Sequence, residues 1–193
     1  MEMDSIYSFV FKGLLTEEAL DLAGRKIKRN FSGDWEDETS QRLGIPLLNE
    51  ELVVKSRKMA IVYIAICSFE NSVREFIEKK LFEEKGINWW DLVVIKKEIR
   101  DKAENRKESE NDVRWLTPRG NSLIYYTEFG DLLSIMWNSW DFFEIHIKDI
   151  DWAKQIITTL EKSRNIIMHS GELNQSDIER VGMYIRDWVK QVG

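Results

Sequence analysis

Two residues near the end of the chain have types suited to holding an anion and moving a proton: Arg164 and His169, in Arg-Asn-Ile-Ile-Met-His. A guanidinium stays charged at any physiological pH and offers a fork of donors to phosphate or carboxylate oxygens. An imidazole, with an ordinary pKa of ~6.5, exchanges protons near neutrality. Asn165 lies four residues before His169, on the same side of a helix, where it can orient the ring or hold an anionic oxygen. The spacing alone is a weak signal in a chain with twelve arginines and two histidines. Its position adds weight, because it closes an apolar helical run. The other histidine, His146 in Phe-Phe-Glu-Ile-His-Ile, has no such company and reads as structural.

Helical wheels supply the second clue. With Ile66 as origin and about 100° per residue, Met59, Val62, Val73 and Ile77 fall within about 40° of it, and Glu70, also at about 40°, falls inside the same stripe. With Leu160 as origin, Ala153, Ile156 and Ile167 define a second apolar stripe, and Arg164 sits about 40° from its centre. A lone buried charge costs several kcal/mol, so opposite charges on two core faces are expected to meet. Glu70 and Arg164 should therefore face one another, with Arg74 one turn further along. An ion pair that only joins two helices satisfies the same wheels. On an ideal helix Arg164 and His169 lie about 140° apart, so a shared site requires the helix to loosen near Met168, or residues from two copies of the chain.

The elements that must position these groups are nearly all helical. Between Pro46 and Pro118 there is no proline, and the pattern predicts one long helix from Asn49 as N-cap to Gly86 as C-cap. A second helix is expected from Trp89 to about Asn105, with the polar tail Lys102–Arg114 fraying into a loop. A third is expected over Phe129–Phe143. A fourth should run from Asp149 or Asp151 to Ser170-Gly171, and a last one should be capped by Ser176 or Asp177. A short helix is expected from Thr16 to about Gly24, and Ser122–Tyr126 is the one strand-like piece. The fold class is all-α, a helical bundle over residues 46–193 with an N-terminal extension, 1–45, of unassigned role.

Composition excludes several classes. The chain has 193 residues, one cysteine and a net charge of −6. One thiol gives no disulfide framework, and the charge argues against a general nucleic-acid coat. The acidic start, MEMDSIYSFVFKG, does not read as a signal peptide, and the longest nearly apolar run, Met59 to Phe69, is short of the ~20 residues a membrane span needs. Cytoplasmic location without membrane contact is the expectation. No glycine-rich phosphate loop, His-Glu-x2-His motif or ligand-spaced carboxylate set occurs, so neither metal nor other cofactor is expected. Cys67 reads as a buried thiol and the tryptophans as mostly core. Arg114, Trp115 and Arg119 form a weak RNA-binding candidate through stacking, and Arg25–Arg29 is a denser basic cluster.

Three stretches carry a resemblance: Phe69-Glu-Asn-Ser-Val-Arg-Glu-Phe-Ile77, Tyr126-Thr-Glu-Phe-Gly-Asp-Leu-Leu133 and Leu160-Glu-Lys-Ser-Arg-Asn-Ile-Ile-Met-His-Ser170. Over about residues 50–190 the sequence resembles the HEPN superfamily (higher eukaryotes and prokaryotes nucleotide-binding domains). It is most similar to the branch found in a eukaryotic nuclear mRNA-surveillance endoribonuclease. The resemblance implies a dimeric helical bundle with two Arg/His motifs at one cleft. It also implies metal-independent endoribonuclease activity on RNA, as a toxin or antiviral effector, with an antitoxin or regulatory protein as a further partner. Other members of the superfamily have lost catalysis and only bind RNA or proteins. By the same resemblance Arg164 and His169 are the catalytic pair, Asn165 the polar second position, and Glu70 an acidic residue of the early helix; the wheels add Arg74 as a further supporting residue. In such a site the 2′-OH of RNA attacks the adjacent phosphorus, a route that DNA cannot follow. A nucleotide-sensing regulator is a third reading, without a phosphate loop to support it.

Overall fold

The computed structural model describes residues 16, 19–20, 31–113 and 115–192, and every regular element among them is helical. The all-α expectation therefore holds. The chain divides into two compact units, Met1–Val54 and Lys55–Gly193. In the first, α1 (Phe31–Arg42) carries an Arg42–Glu38 ion pair one turn apart. Gly44, with φ 68°, then turns the chain into a single 3-10 turn, Ile45–Leu47, opened by Pro46. Of the expected helix Thr16–Gly24 only Thr16, Ala19 and Leu20 are described, each of them helical. The basic cluster Arg25–Arg29 lies outside the described residues.

The division between the units falls inside α2 (Glu50–Lys85), 36 residues long. Its start is marked by Asn49, whose Oδ1 accepts the Leu52 N–H at 3.3 Å. Its end is marked by Gly86, whose φ of 74° is the left-handed conformation that closes helices and that glycine adopts without strain. Both ends fall where the sequence placed them. Met59, Val62, Ile66, Phe69, Val73, Ile77 and Leu81 turn one face of α2 into the core. Around that face pack α5 (Phe129–Asn138), α7 (Ile150–Met168) and α8 (Gln175–Val192). Phe69 is the aromatic hinge of this core, edge-on to Phe129 at 6.1 Å and to Trp188 at 5.5 Å. Asp149 caps α7, its Oδ1 accepting from the N–H groups of Asp151 and Trp152.

The helix expected over Trp89–Asn105 is two helices, α3 (Trp89–Leu92) and α4 (Lys97–Asp112). The break falls on Val93-Val94-Ile95, a β-branched run in which Val93 and Ile95 are buried and Val94 is exposed, so alternation wins over helical period. The polar stretch 102–112 is helical rather than frayed. Its stabilising partners are distant in sequence: Arg106 donates to the Tyr126 carbonyl at 2.8 Å and pairs with Glu128, and Lys107 donates to the Asn121 carbonyl at 2.9 Å. Leu123–Tyr126 is a 3-10 turn, not a strand, with Ile124 and Tyr126 fully buried. Helix α5 ends at Asn138, and a 3-10 turn (Trp140–Phe142) and α6 (Glu144–Ile147) follow it. The cap of α8 is Asn174, whose Oδ1 accepts the Asp177 N–H at 2.9 Å; Ser176 only donates to the same oxygen. Trp137 and Trp115 are exposed rather than core, and Cys67 is half-buried.

Candidate functional site

Glu70 and Arg164 meet as the wheels required. The Arg164 Nη1 donates to both carboxylate oxygens of Glu70, at 2.9 and 2.8 Å. Arg74 approaches the same carboxylate, its Nη2 donating to Oε1 at 2.5 Å. Two guanidiniums thus share one carboxylate, and the cluster keeps a net positive charge. Glu70 and Arg74 are buried, while the Arg164 side chain is 25% exposed, so the leftover charge reaches the surface through Arg164. Its Nη2 donates to the Asn165 Oδ1 at 3.3 Å, and its buried Nε has no partner among the described residues.

Arg74 is more than a bystander. Its Nε donates to the Ile124 carbonyl at 3.3 Å and its Nη2 to the Thr127 carbonyl at 3.2 Å, which fixes the turn leading into α5. Glu128 and Asp131 then form a reciprocal capping box at the start of α5. The Glu161 carboxylate of α7 accepts the Gly130 N–H at 3.0 Å, a negative charge placed at the positive end of α5. A Cβ on Gly130 would stand 3.1 Å from that carboxylate, so the close approach favours glycine. The three quoted stretches are therefore joined by hydrogen bonds: Arg74 to 124–127, Gly130 to Glu161, and Arg164 to Glu70.

His169 stands where α7 stops. The helix ends at Met168, and His169 is its C-cap at φ −96°, ψ 25°, with its N–H still bonded to the Asn165 carbonyl. Ser170 N–H donates to the Ile167 carbonyl and Gly171 N–H to the Ile166 carbonyl, the paired bonds of a Schellman ending. Ser170 holds the left-handed position at φ 62°, where glycine is usual. Gly171 is required instead for space, since a Cβ there would stand 2.7 Å from Ile166 Cγ2 and 2.9 Å from the Ile166 carbonyl oxygen. The segment beyond returns to α2: the Leu173 N–H donates to Met59 Sδ at 3.3 Å, and Glu172 pairs with Lys55 at 3.3 Å. Among the described residues the exposed His169 ring forms no hydrogen bond or ion pair. The loosening expected at Met168 is present, yet no bond within one chain joins the ring to Arg164.

Tyr63 is a residue of α2 to which the sequence pattern assigns no role. It lies seven residues before Glu70 on the same face of α2 and four after Met59, between the two points where α2 is bonded to the end of α7 and the segment beyond. Burial pushes its phenol above the ordinary value, the Cys67 thiol and Glu70 carboxylate add to the shift, and the Arg164 guanidinium opposes it. A phenol that feels both Glu70 and Arg164 borders the cluster. The signal in the sequence is the spacing Met59–Tyr63–Ile66–Glu70, which places a hydroxyl on the same face as the Glu70 carboxylate.

The sequence profile of a Swt1-like HEPN family matches residues 65–193. The chain belongs to this family. The matched span holds Glu70, Arg74, Arg164, Asn165 and His169. No curated protein and no solved structure matches the chain. HEPN domains are commonly ribonucleases, and they often dimerise and bind RNA.

The weaker candidates of this HEPN chain part company. Arg114 lies outside the described residues. Trp115 is exposed, whereas Arg119 is engaged: its Nε donates to Glu110 at 2.6 Å, and its guanidinium stands 5.4 Å from the Tyr126 ring centre. Those bonds hold the Glu110 carboxyl below its ordinary pKa. His146 packs edge-on against Phe76 at 5.7 Å, a structural contact. Among the described residues no group of three or more His, Cys, Asp or Glu is placed to hold a metal ion, and no helix is long and apolar enough to cross a membrane.

Proposed function

We propose that the protein is a metal-independent endoribonuclease, with Arg164 and His169 as catalytic residues, Asn165 supporting them, and Glu70 and Arg74 positioning Arg164. The observation that carries this reading is the clamp on Arg164. A guanidinium held by a buried carboxylate that a second arginine already neutralises keeps both its direction and its charge, the preorganisation that phosphorane stabilisation needs. His169, exposed five residues on, supplies the proton chemistry. The 2′-oxygen bonds to phosphorus as its proton is removed, the P–O5′ bond breaks, and the departing 5′-oxygen takes up a proton. The products are a 2′,3′-cyclic phosphate and a 5′-hydroxyl.

Because His169 makes no bond to Arg164 within the chain, the complete site draws on two copies, with the guanidinium of one beside the imidazole of the other. For its biological role we propose a cytoplasmic toxin or antiviral effector, restrained by an antitoxin or regulatory protein; toxicity on induction that His169→Ala relieves is the test. The net charge of −6 favours a second reading, a catalytically silent dimeric module binding RNA or a protein, because long RNA is repelled away from a local cleft. Incubation of varied RNAs with the purified protein in EDTA, followed by analysis of product ends, separates the two. Cyclic phosphate ends support the nuclease; intact RNA throughout leaves the module.

A further inference from the structure

An open cleft of about 450 Å³ lies between α5 and α7, with Trp137 of α5 and Lys154 and Thr158 of α7 on its walls and Lys96 at its edge. A second, of about 300 Å³, lies beside it, reaches Lys85 and Phe142, and shares Trp137 and Asn138 with the first. Trp137 is 61% exposed, although Ile135 and Met136 just before it are buried. An indole lining two adjoining clefts presents a flat surface with open space beside it.

Three lysines, Lys85, Lys96 and Lys154, line the clefts around that ring. Lys96 and Lys154 form no ion pair among the described residues, and Lys85 only stands over the Phe142 ring at 5.0 Å. The arginines of α4, by contrast, are engaged: Arg100 with Asp91 and Trp90, Arg106 with Tyr126 and Glu128. Asp151 and Asp141 also edge the clefts, leaving three lysines against two carboxylates. On α7, Lys154, Thr158, Glu161 and Asn165 follow at steps of four, three and four, so one face of the helix runs from the cleft to the Arg164-Asn165 motif, about 16 Å away.

We propose that this pair of clefts is a subsite for single-stranded RNA, in which a base stacks on Trp137 and flanking phosphates contact Lys96 and Lys154. The chemistry favours RNA over an apolar protein anchor, because a mainly apolar cleft that suits a base adjoins a mainly polar one, and the lysines lining them form no ion pair among the described residues. A stacking platform bordered by unpaired lysines tolerates any base. The subsite rests on the ribonuclease reading for its purpose, since it would hold strand that the Arg164 motif cuts, but not for its test.

The test measures fluorescence anisotropy of a labelled single-stranded oligoribonucleotide across a salt series. Every 2′-hydroxyl is methylated, so no attack can occur. Wild type, Trp137→Leu and Lys96→Ala/Lys154→Ala are compared, with circular dichroism to establish that each variant is folded. Trp137→Leu should weaken binding by at least about fivefold. The lysine double variant should lower the slope of log K against log salt by about 1.4. Both effects in a protein that cuts no RNA would uphold the subsite while the nuclease reading fails. Unchanged binding by both folded variants overturns the subsite even if unmethylated RNA is cut, as does Trp137→Leu altering only the oligomeric state. Failure of wild type to bind overturns it as well.

Discussion

Removing the Glu70 side chain tests the clamp at its centre. In Glu70→Ala the buried Arg74 keeps two carbonyl acceptors, those of Ile124 and Thr127, and Arg164 keeps only Asn165. Two guanidiniums then face each other without the carboxylate that separates them. Deleting one partner of a buried charge pair costs about 3–5 kcal/mol, and the surviving carbonyl bonds place this case near 3. Arg164→Ala should cost less, about 1–2 kcal/mol, since Arg164 is partly exposed and Glu70 keeps Arg74. The double variant should cost less than the two singles together by about 1–3 kcal/mol, because both act on one network. Urea denaturation followed by circular dichroism gives all three values, and thermal melts should fall by roughly 2–4 °C per kcal/mol in a chain of this size. A Glu70→Ala loss under about 1 kcal/mol, or additive single effects, would refute the clamp.

Ser170→Gly should stabilise the protein by about 1 kcal/mol, read as a higher urea midpoint, because Ser170 holds a left-handed conformation at φ 62°. Asn174→Ala should cost about 1 kcal/mol through loss of the α8 cap. The phenols of Tyr63 and Tyr125 have pKa values raised by burial, so the folded state favours their neutral forms. That contribution is whole below the ordinary value near ~10 and is lost as pH rises through the raised values, so Tyr63→Phe/Tyr125→Phe should flatten the alkaline fall in melting temperature. Mixing separately inactive Arg164→Ala and His169→Ala proteins should restore about a quarter of the activity if each site draws on two copies; no recovery would mean that each chain is self-contained.

What was legible in the sequence was whatever local chemistry decides. Asn49 and Gly86 fixed both ends of α2, and the charges at Glu70 and Arg164 stood out because they broke two apolar stripes. What stayed hidden depends on distant partners. The stretch 102–112 has good helix formers but almost no apolar face to pack, and its helix is secured by Tyr126, Asn121 and Glu128 from beyond the next loop. Ser122–Tyr126 alternates in burial like a strand, yet Arg74 holds the carbonyls there and the turn is 3-10. Ser176 and Asp177 outcompeted Asn174 as expected caps because all three types suit the position, and only the backbone shows which side chain receives the N–H. Trp137 read as core because its neighbours are; it is exposed because it lies off the face of α5 that Phe129, Leu132, Ile135 and Met136 bury.

Arg164 and His169 are proposed to cut RNA without a metal. The most direct test is the initial cleavage rate in EDTA for wild type, Arg164→Ala and His169→Ala at equal protein concentration, each variant first shown to be folded. Proton transfer by a positioned histidine contributes about 10²–10⁴-fold, so His169→Ala should lose at least about a hundredfold and Arg164→Ala a comparable amount. A His169→Ala protein as active as wild type, or a wild type silenced by EDTA, would contradict the account.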